Sequence, residues 1–393
     1  SILRSVVLVV FIGFIIPGCH SADVSGVHGN SSISIGSLRC EYMIDPEGID
    51  VERPRLSWVL DSDERRIGQA GYEILVASSK EKLDKGIGDL WDSGKVSSEQ
   101  SVQVVYAGRA LESNQGCFWK VRVWDQKGWF SGWSKSAKWS MGLLGADAWK
   151  AKWIGQQDPA PADASKEEII QSIYPLPVFR KEFQVTSKIK SAKVHVCGLG
   201  QYELFMNGER VGTDFLNPAW SVYEKTVYYN TFDITKTLKR GENVFSVRLG
   251  KGFYSTMGDR RTHFVNVYRP LKMILQGHIE YADGRSQMIV SNGSWMYARG
   301  SLTHSAILGG SSYDARCLGD RSDWKFVEET TGPGGSLKAF AVPAMKTVQF
   351  FEPVSVQEPE VGYFVYDFGQ NTSQIPRITV GGKAGQTVRI TPA

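Results

Sequence analysis

The chain has 393 residues, 42% of them hydrophobic and 11% aromatic, enough apolar side chain for two or three domains with cores of their own, which excludes a disordered chain. Its 45 basic and 41 acidic residues leave a net charge of +4 with the two signs interspersed, so it has no basic footprint for nucleic acid. A neutral partner suits this balance best.

The chain starts with SILRSVVLVVFIGFIIPGCHS, in which Arg4 precedes an apolar run from Val6 to Ile16 and small residues lead to Cys19. The run is too short to span a bilayer, and a charged start with an apolar middle reads as a secretory signal. Ile16-Pro17-Gly18-Cys19 resembles the lipobox of bacterial lipoproteins, in which the cysteine becomes the lipidated first residue. We therefore expect a lipoprotein-type signal peptide at 1–18, lipidation at Cys19, a linker over 19–35, and export to the bacterial periplasm or cell surface with membrane contact through the lipid alone. An ordinary signal peptide cut nearby, with Cys19 incidental, is the alternative. Cys40, Cys117, Cys197 and Cys317 are far apart with no CxxC pair, which points to small buried side chains rather than a zinc site or a disulfide framework.

From residue 36 the pattern has period two. PRLSWVL (54–60), AGYEILVAS (70–78), VQVVYAG (102–108), CFWKVRVWD (117–125) and SAKWSMG (136–142) are short alternating runs between turns, which suggests a β-sandwich over 36–146. In FWKVRVW, Trp119, Val121 and Val123 share one face and Lys120 and Arg122 the other. SSKEKLDKG predicts a short helix capped by Ser78 or Ser79 and closed by Gly86. Trp58, Trp119, Trp124 and Trp139 sit inside the strands, where core packing outweighs sugar stacking as their role.

The proline-bearing segment 159–177 breaks the pattern and reads as a surface loop. A second β unit, placed at 147–350, includes KVHVCGLGQYELFMNGERVG (193–212), with Tyr202, Leu204 and Met206 on one face and Asn207-Gly208 as a type I′ turn. Asp283-Gly284 makes a second hairpin turn. A third unit opens at about Phe351, and its runs Ile375 to Val380 and Thr387 to Thr391 are strand-like; the sequence stops inside that pattern. The fold class is thus all-β, as tandem sandwiches.

No motif for chemistry appears. Gly198-Leu199-Gly200 lacks the third glycine and the helix of a dinucleotide loop, and GGKAGQT lacks the GK[ST] of a P-loop. There is no GxSxG and no HExxH, the six histidines are scattered, and DSDE (61–64) lacks the glycine and distal glutamate of a calcium loop. His195 and His278 lie in strands, where a hydrogen-bonded structural histidine is the default. Carboxylate pairs for sugar hydrolysis come from distant segments and cannot be located by spacing.

Four stretches in order resemble the amino-terminal part of bacterial multidomain α-L-rhamnosidases: LRCEYMIDPEGIDVERPRLSW (38–58), GLGQYELFMNGERVGTDFLNPAWSVYEKTVYYNTFDIT (198–235), LTHSAILGGSSYDAR (302–316) and YDFGQNTSQIPRITVGGKAGQTVRITPA (366–393). The resemblance implies a fibronectin-type-III-like sandwich at 36–146, a jelly-roll module at 147–350 and the start of a third sandwich at 351–393. It also implies hydrolysis of terminal α-L-rhamnosides of plant glycans or glycosides with inversion, by acidic residues of an (α/α)6 barrel that follows the β domains. No residue here then receives a catalytic role, and the chain by itself is expected to be inactive. Ser311 stands where the family commonly has the acid of GGExYDAR, and Gln374 where it often has glycine, which puts a pocket or interface role of that acid in doubt. Some members of this module class bind rhamnose, in one style through calcium; the positions suited to such a role are Asn207, Trp220, Tyr223, Tyr254 and Arg261. The competing reading is a surface glycan-binding lipoprotein without catalysis.

Overall fold

The computed structural model describes residues 31–157, 165, 176–256, 270–307, 309–317, 323–372, 375–383 and 385–391. The expected signal peptide, Cys19, Arg261 and Gln374 lie outside the described residues. The described residues up to Ala344 form one compact unit and those from Met345 onward a second.

The first sandwich packs a sheet of Ser34–Cys40, Arg55–Asp61 and Val104–Val105 against one built on Gln69–Ala77, Gly116–Asp125 and Ala137–Ser140. Gly116–Asp125 alternates strictly between buried and half-buried positions, with Cys117, Trp119, Val121 and Val123 directed inward. That alternation is the consequence of a pleat with one face on a core. Trp58, Trp119 and Trp139 fill this core, and Trp58 Nε1 donates to Gln69 Oε1 at 2.9 Å. Trp124 departs from the expectation of core packing. It lies on the outer face, half-buried, with Lys95 Nζ 4.8 Å and Arg122 Cζ 5.1 Å from its ring. The short helix forms at Lys80–Asp84; Ser79 Oγ accepts the Lys82 N–H, and Gly86 follows with φ of +76°.

The second sandwich has a six-stranded sheet with spatial order Glu209–Arg210, Gln201–Met206, Gly241–Gly250, Pro177–Val185, Met296–Arg299 and Lys325–Phe326. The facing sheet runs Glu328–Thr330, Trp153–Gly155, Lys272–Tyr281, Ile189–Gly198, Thr226–Asp233 and Ser336–Ala339, with Ser286–Val290 also on Lys272–Tyr281. Antiparallel pairing prevails, and Thr226–Asp233 with Ser336–Ala339 is parallel. Tyr202, Leu204 and Met206 point into the core with Phe179, Phe245 and Trp295. Asn207 and Gly208 take φ of +54° and +87°, the two positive values a type I′ turn requires.

Cys40, Cys117 and Cys197 are free and buried, and Cys317 is half-buried. The second unit contributes a hairpin, Ser355–Glu360 with Tyr363–Asp367. The strand-like runs at 375–380 and 387–391 are not strands among the described residues, and their Ile375 and Val388 side chains are exposed. Among the described residues of this unit the only sheet is that two-stranded hairpin, and alternation alone does not produce a ladder where no second layer buries an apolar face.

Candidate functional site

Two glycine pairs set one end of the second sandwich. Gly200, at φ of +107°, approaches Gly250 so closely that a Cβ there would lie 2.0 Å from the Gly250 carbonyl oxygen; one on Gly252 would lie 2.9 Å from the Gly200 carbonyl carbon. Only hydrogen side chains permit this approach. The Gly-Leu-Gly that resembled a fragment of a nucleotide loop thus serves to bring two strand ends together, and Lys251, Ser255 and Thr256 become buried beside it.

Loop 213–225 closes over this end. Tyr202 N–H donates to the Asn217 carbonyl at 2.8 Å, and Ser221 Oγ donates to the Thr226 carbonyl at 2.6 Å. Tyr202 OH donates to Asn230 Oδ1 at 2.9 Å, and burial holds this phenol well above its usual pKa. Trp220 stacks on Phe253, with centroids 4.9 Å apart and planes 19° apart. Tyr223 and Tyr254 meet edge to face at 5.3 Å, and both are buried. Trp220 is 51% exposed, and Phe215, Leu216 and Val222 are exposed on the same loop.

The structure therefore brings Trp220, Tyr223 and Tyr254 together and gives them different surroundings. The two tyrosines pack the loop onto the sandwich, whereas Trp220 presents an aromatic ring to solvent. Asn207 lies at the opposite end of strand Gln201–Met206, about 20 Å away at the rise of a β-strand. Its amide is spent on the turn: Nδ2 donates to the Thr237 carbonyl at 3.1 Å and to Asn243 Oδ1 at 3.0 Å, and Oδ1 accepts the Val244 N–H at 2.9 Å.

Among the described residues no three His, Cys, Asp or Glu side chains gather as a metal site would require. Ser255 and Ser301 carry buried hydroxyls with no hydrogen-bond partner among the described residues. Sequence reading did not single these out, because two isolated serines in loops carry no periodic or spacing signal.

Comparison with known proteins agrees with this architecture. Residues 187–349 match the alpha-L-rhamnosidase N-terminal domain, and residues 35–145 match the Rha78A-like N-terminal immunoglobulin domain. Immunoglobulin and fibronectin-type-III domains share the two-sheet sandwich architecture. An alpha-L-rhamnosidase of Formosa agariphila is 35% identical over 383 residues, covering 92% of this chain and 40% of its own length. Among solved structures, the alpha-L-rhamnosidase from Dictyoglumus thermophilum superimposes with a TM-score of 0.72 at 36% identity, covering 86% of this chain and 38% of that one. The enzyme from Aspergillus terreus does so with a TM-score of 0.74 at 28% identity, covering 86% and 39%. The chain thus spans about two fifths of the length of the curated relatives it matches first.

Proposed function

We infer from a chain whose two described sandwiches belong to the N-terminal region of the α-L-rhamnosidase family that it is the non-catalytic front of such an enzyme. The observation that carries this reading is order: both domain types occur in sequence, and the alignment to the Formosa agariphila enzyme runs through 92% of the chain. The whole protein would hydrolyse terminal α-L-rhamnosides of plant glycans or glycosides with inversion. The general acid and base would lie outside these 393 residues, and the sandwiches would support and orient the part that holds them. The test is turnover of a chromogenic α-L-rhamnoside. A protein of the relatives' length that contains this chain releases the chromophore and the chain alone does not; turnover by the chain alone overturns the division of roles.

The exposed face of the Trp220–Phe253 stack is the best candidate for sugar contact in the second sandwich, since flat rings pack against the apolar faces of sugars. Tyr223 and Tyr254 would act by holding that loop. Calorimetry with L-rhamnose on the chain, with and without calcium, tests this: Trp220→Ala abolishes the heat if the reading holds, and silence of the unaltered chain in both conditions removes it. Export through residues 1–18, anchoring at Cys19, and a place at the bacterial surface or periplasm complete the proposal. Mass spectrometry of the mature amino terminus tests it, with a lipidated Cys19 as the expected species.

A further inference from the structure

The seam between the two sandwiches is lined with polar groups that find their partners across it. His195 in strand Ile189–Gly198 is fully buried. Its Nε2 lies 2.6 Å from Asn114 Oδ1 of the first sandwich, and its Nδ1 lies 2.8 Å from Thr231 Oγ1 of the second. An amide oxygen can only accept, so Nε2 carries the hydrogen, and Nδ1 accepts from the threonine hydroxyl. This assignment follows from the network. Asn114 sits at φ of +66°, a conformation asparagine tolerates better than most residues. Its own carbonyl accepts Lys193 Nζ at 3.2 Å, and its N–H donates to the Gly142 carbonyl at 3.1 Å.

Two further contacts run in parallel. Tyr229 OH of the second sandwich accepts the Leu143 N–H at 3.1 Å, and the Tyr229 ring meets His195 edge-on at 5.8 Å. Asp50 Oδ2 of the first sandwich accepts the Ala339 N–H at 2.9 Å, at the end of strand Ser336–Ala339. The backbone is also closely apposed: a Cβ on Gly142 would lie 2.5 Å from Tyr229 OH.

We propose that these contacts are an interdomain latch, pinned by Asn114–His195–Thr231, that makes the two sandwiches open and close as one cooperative unit. Consecutive modules joined only by a linker move relative to one another by default. Here loosening either sandwich would leave His195, Lys193 and Tyr229, or Asn114 and Leu143, without their partners, so each sandwich's local opening is penalised by the other. The first sandwich is then a brace for the second, not a detachable appendage.

The thiols report on this directly, because Cys117 is buried in the core of the first sandwich and Cys197 in the core of the second. The full chain is exposed to a thiol reagent in rising urea, and labelling of each cysteine is followed by peptide mass spectrometry, normalised to its rate in fully denaturing urea. In the unaltered chain the two normalised rates agree within about threefold at every urea concentration. Rates that differ by more than about threefold overturn the proposal. In Asn114→Gly, which keeps the positive φ and deletes the amide, the two rates separate by at least tenfold. If they stay together, Asn114 is not the pin. The measurement on the unaltered chain decides on the latch even if that variant does not fold.

Discussion

Gly48 of the first sandwich packs on Thr231 of the second so closely that a Cβ built on the glycine would fall 2.0 Å from Oγ1 and 2.3 Å from the threonine Cβ. Its φ of +78° and its N–H bond to Ser140 Oγ at 3.0 Å fix the backbone at that point. Gly48→Ala therefore meets both a strained backbone and a clash with a side chain that is held by His195. We expect a loss of about 3 kcal/mol or more in urea unfolding. Gly284→Ala is the control: its φ of +86° is similar, but nothing lies within 4 Å of the added Cβ, so only the backbone cost of about 1 kcal/mol remains. Equal losses would mean that Thr231 yields and that close packing at the seam is not limiting.

Much of this fold is legible in the sequence, and the reason differs by element. Strand Gly116–Asp125 follows from its alternation, the helix from Ser79 and Gly86, and the turn from Asn207-Gly208, because each is a local rule acting within a few residues. His195 is legible as a structural histidine, but its partner is not: Asn114 is 81 residues away, and nothing in either segment marks the other. Trp124 shares a strand with the core Trp119 and faces outward, since it stands one residue out of step with Trp119, Val121 and Val123. For the candidate site, sequence reading proposes loop aromatics and amides alike. Only the packing separates Trp220, which faces solvent, from Tyr223 and Tyr254, which do not, and from Asn207 at the far end of its strand.

The buried His195 makes stability depend on mild acid. Burial first, then the Lys193 and His278 charges, hold its pKa down to about 3, against about 6.5 in an unfolded chain. Below pH 6.5 the unfolded state takes up a proton that the folded state refuses until about pH 3. The stabilisation is therefore complete above pH 6.5 and is lost as the pH falls toward 3, by up to about 1.4 kcal/mol per pH unit. Between pH 6.5 and 4.5, before most carboxylates titrate, unfolding midpoints in urea should fall steadily. His195→Gln should flatten that dependence; an unchanged slope in the variant would assign it to other groups.

At the Asn207 turn, Asn207→Gly keeps access to positive φ while removing three amide hydrogen bonds, to the Thr237 carbonyl, Asn243 Oδ1 and the Val244 N–H. The loss takes its acceptor from the Val244 N–H, whereas buried Asn243 keeps the Lys239 N–H at 3.0 Å on Oδ1 and donates from Nδ2 to the Lys239 carbonyl at 2.6 Å. We expect about 2 kcal/mol of destabilisation. Any L-rhamnose affinity of the chain should be unchanged, because Trp220 is at the other end of the strand. A variant of native stability and reduced affinity would instead make Asn207 a ligand.

Arg122 on the outer face of the first sandwich lies between aromatic rings, with Cζ 5.1 Å from the Trp124 centroid, 4.8 Å from Trp133 and 5.5 Å from Phe130. Its Nη2 also pairs with Glu73 Oε2 at 2.6 Å, and both side chains are partly shielded from solvent. Two attractions of different kind therefore hold one side chain. The ion pair is weakened by salt, whereas the planar guanidinium's contact with the rings depends on dispersion and the ring quadrupole and survives screening. Glu73→Gln should cost under about 1 kcal/mol, and 1 M NaCl should erase most of that difference. Arg122→Ala should cost about 2 kcal/mol at either ionic strength, since it also removes stem packing between the rings. Arg122→Lys should recover less than half of the loss, because an ammonium cannot lie flat between two indoles while reaching Glu73. Parallel salt dependence of Glu73→Gln and Arg122→Ala would show that charge pairing, rather than stacking, is what this face contributes.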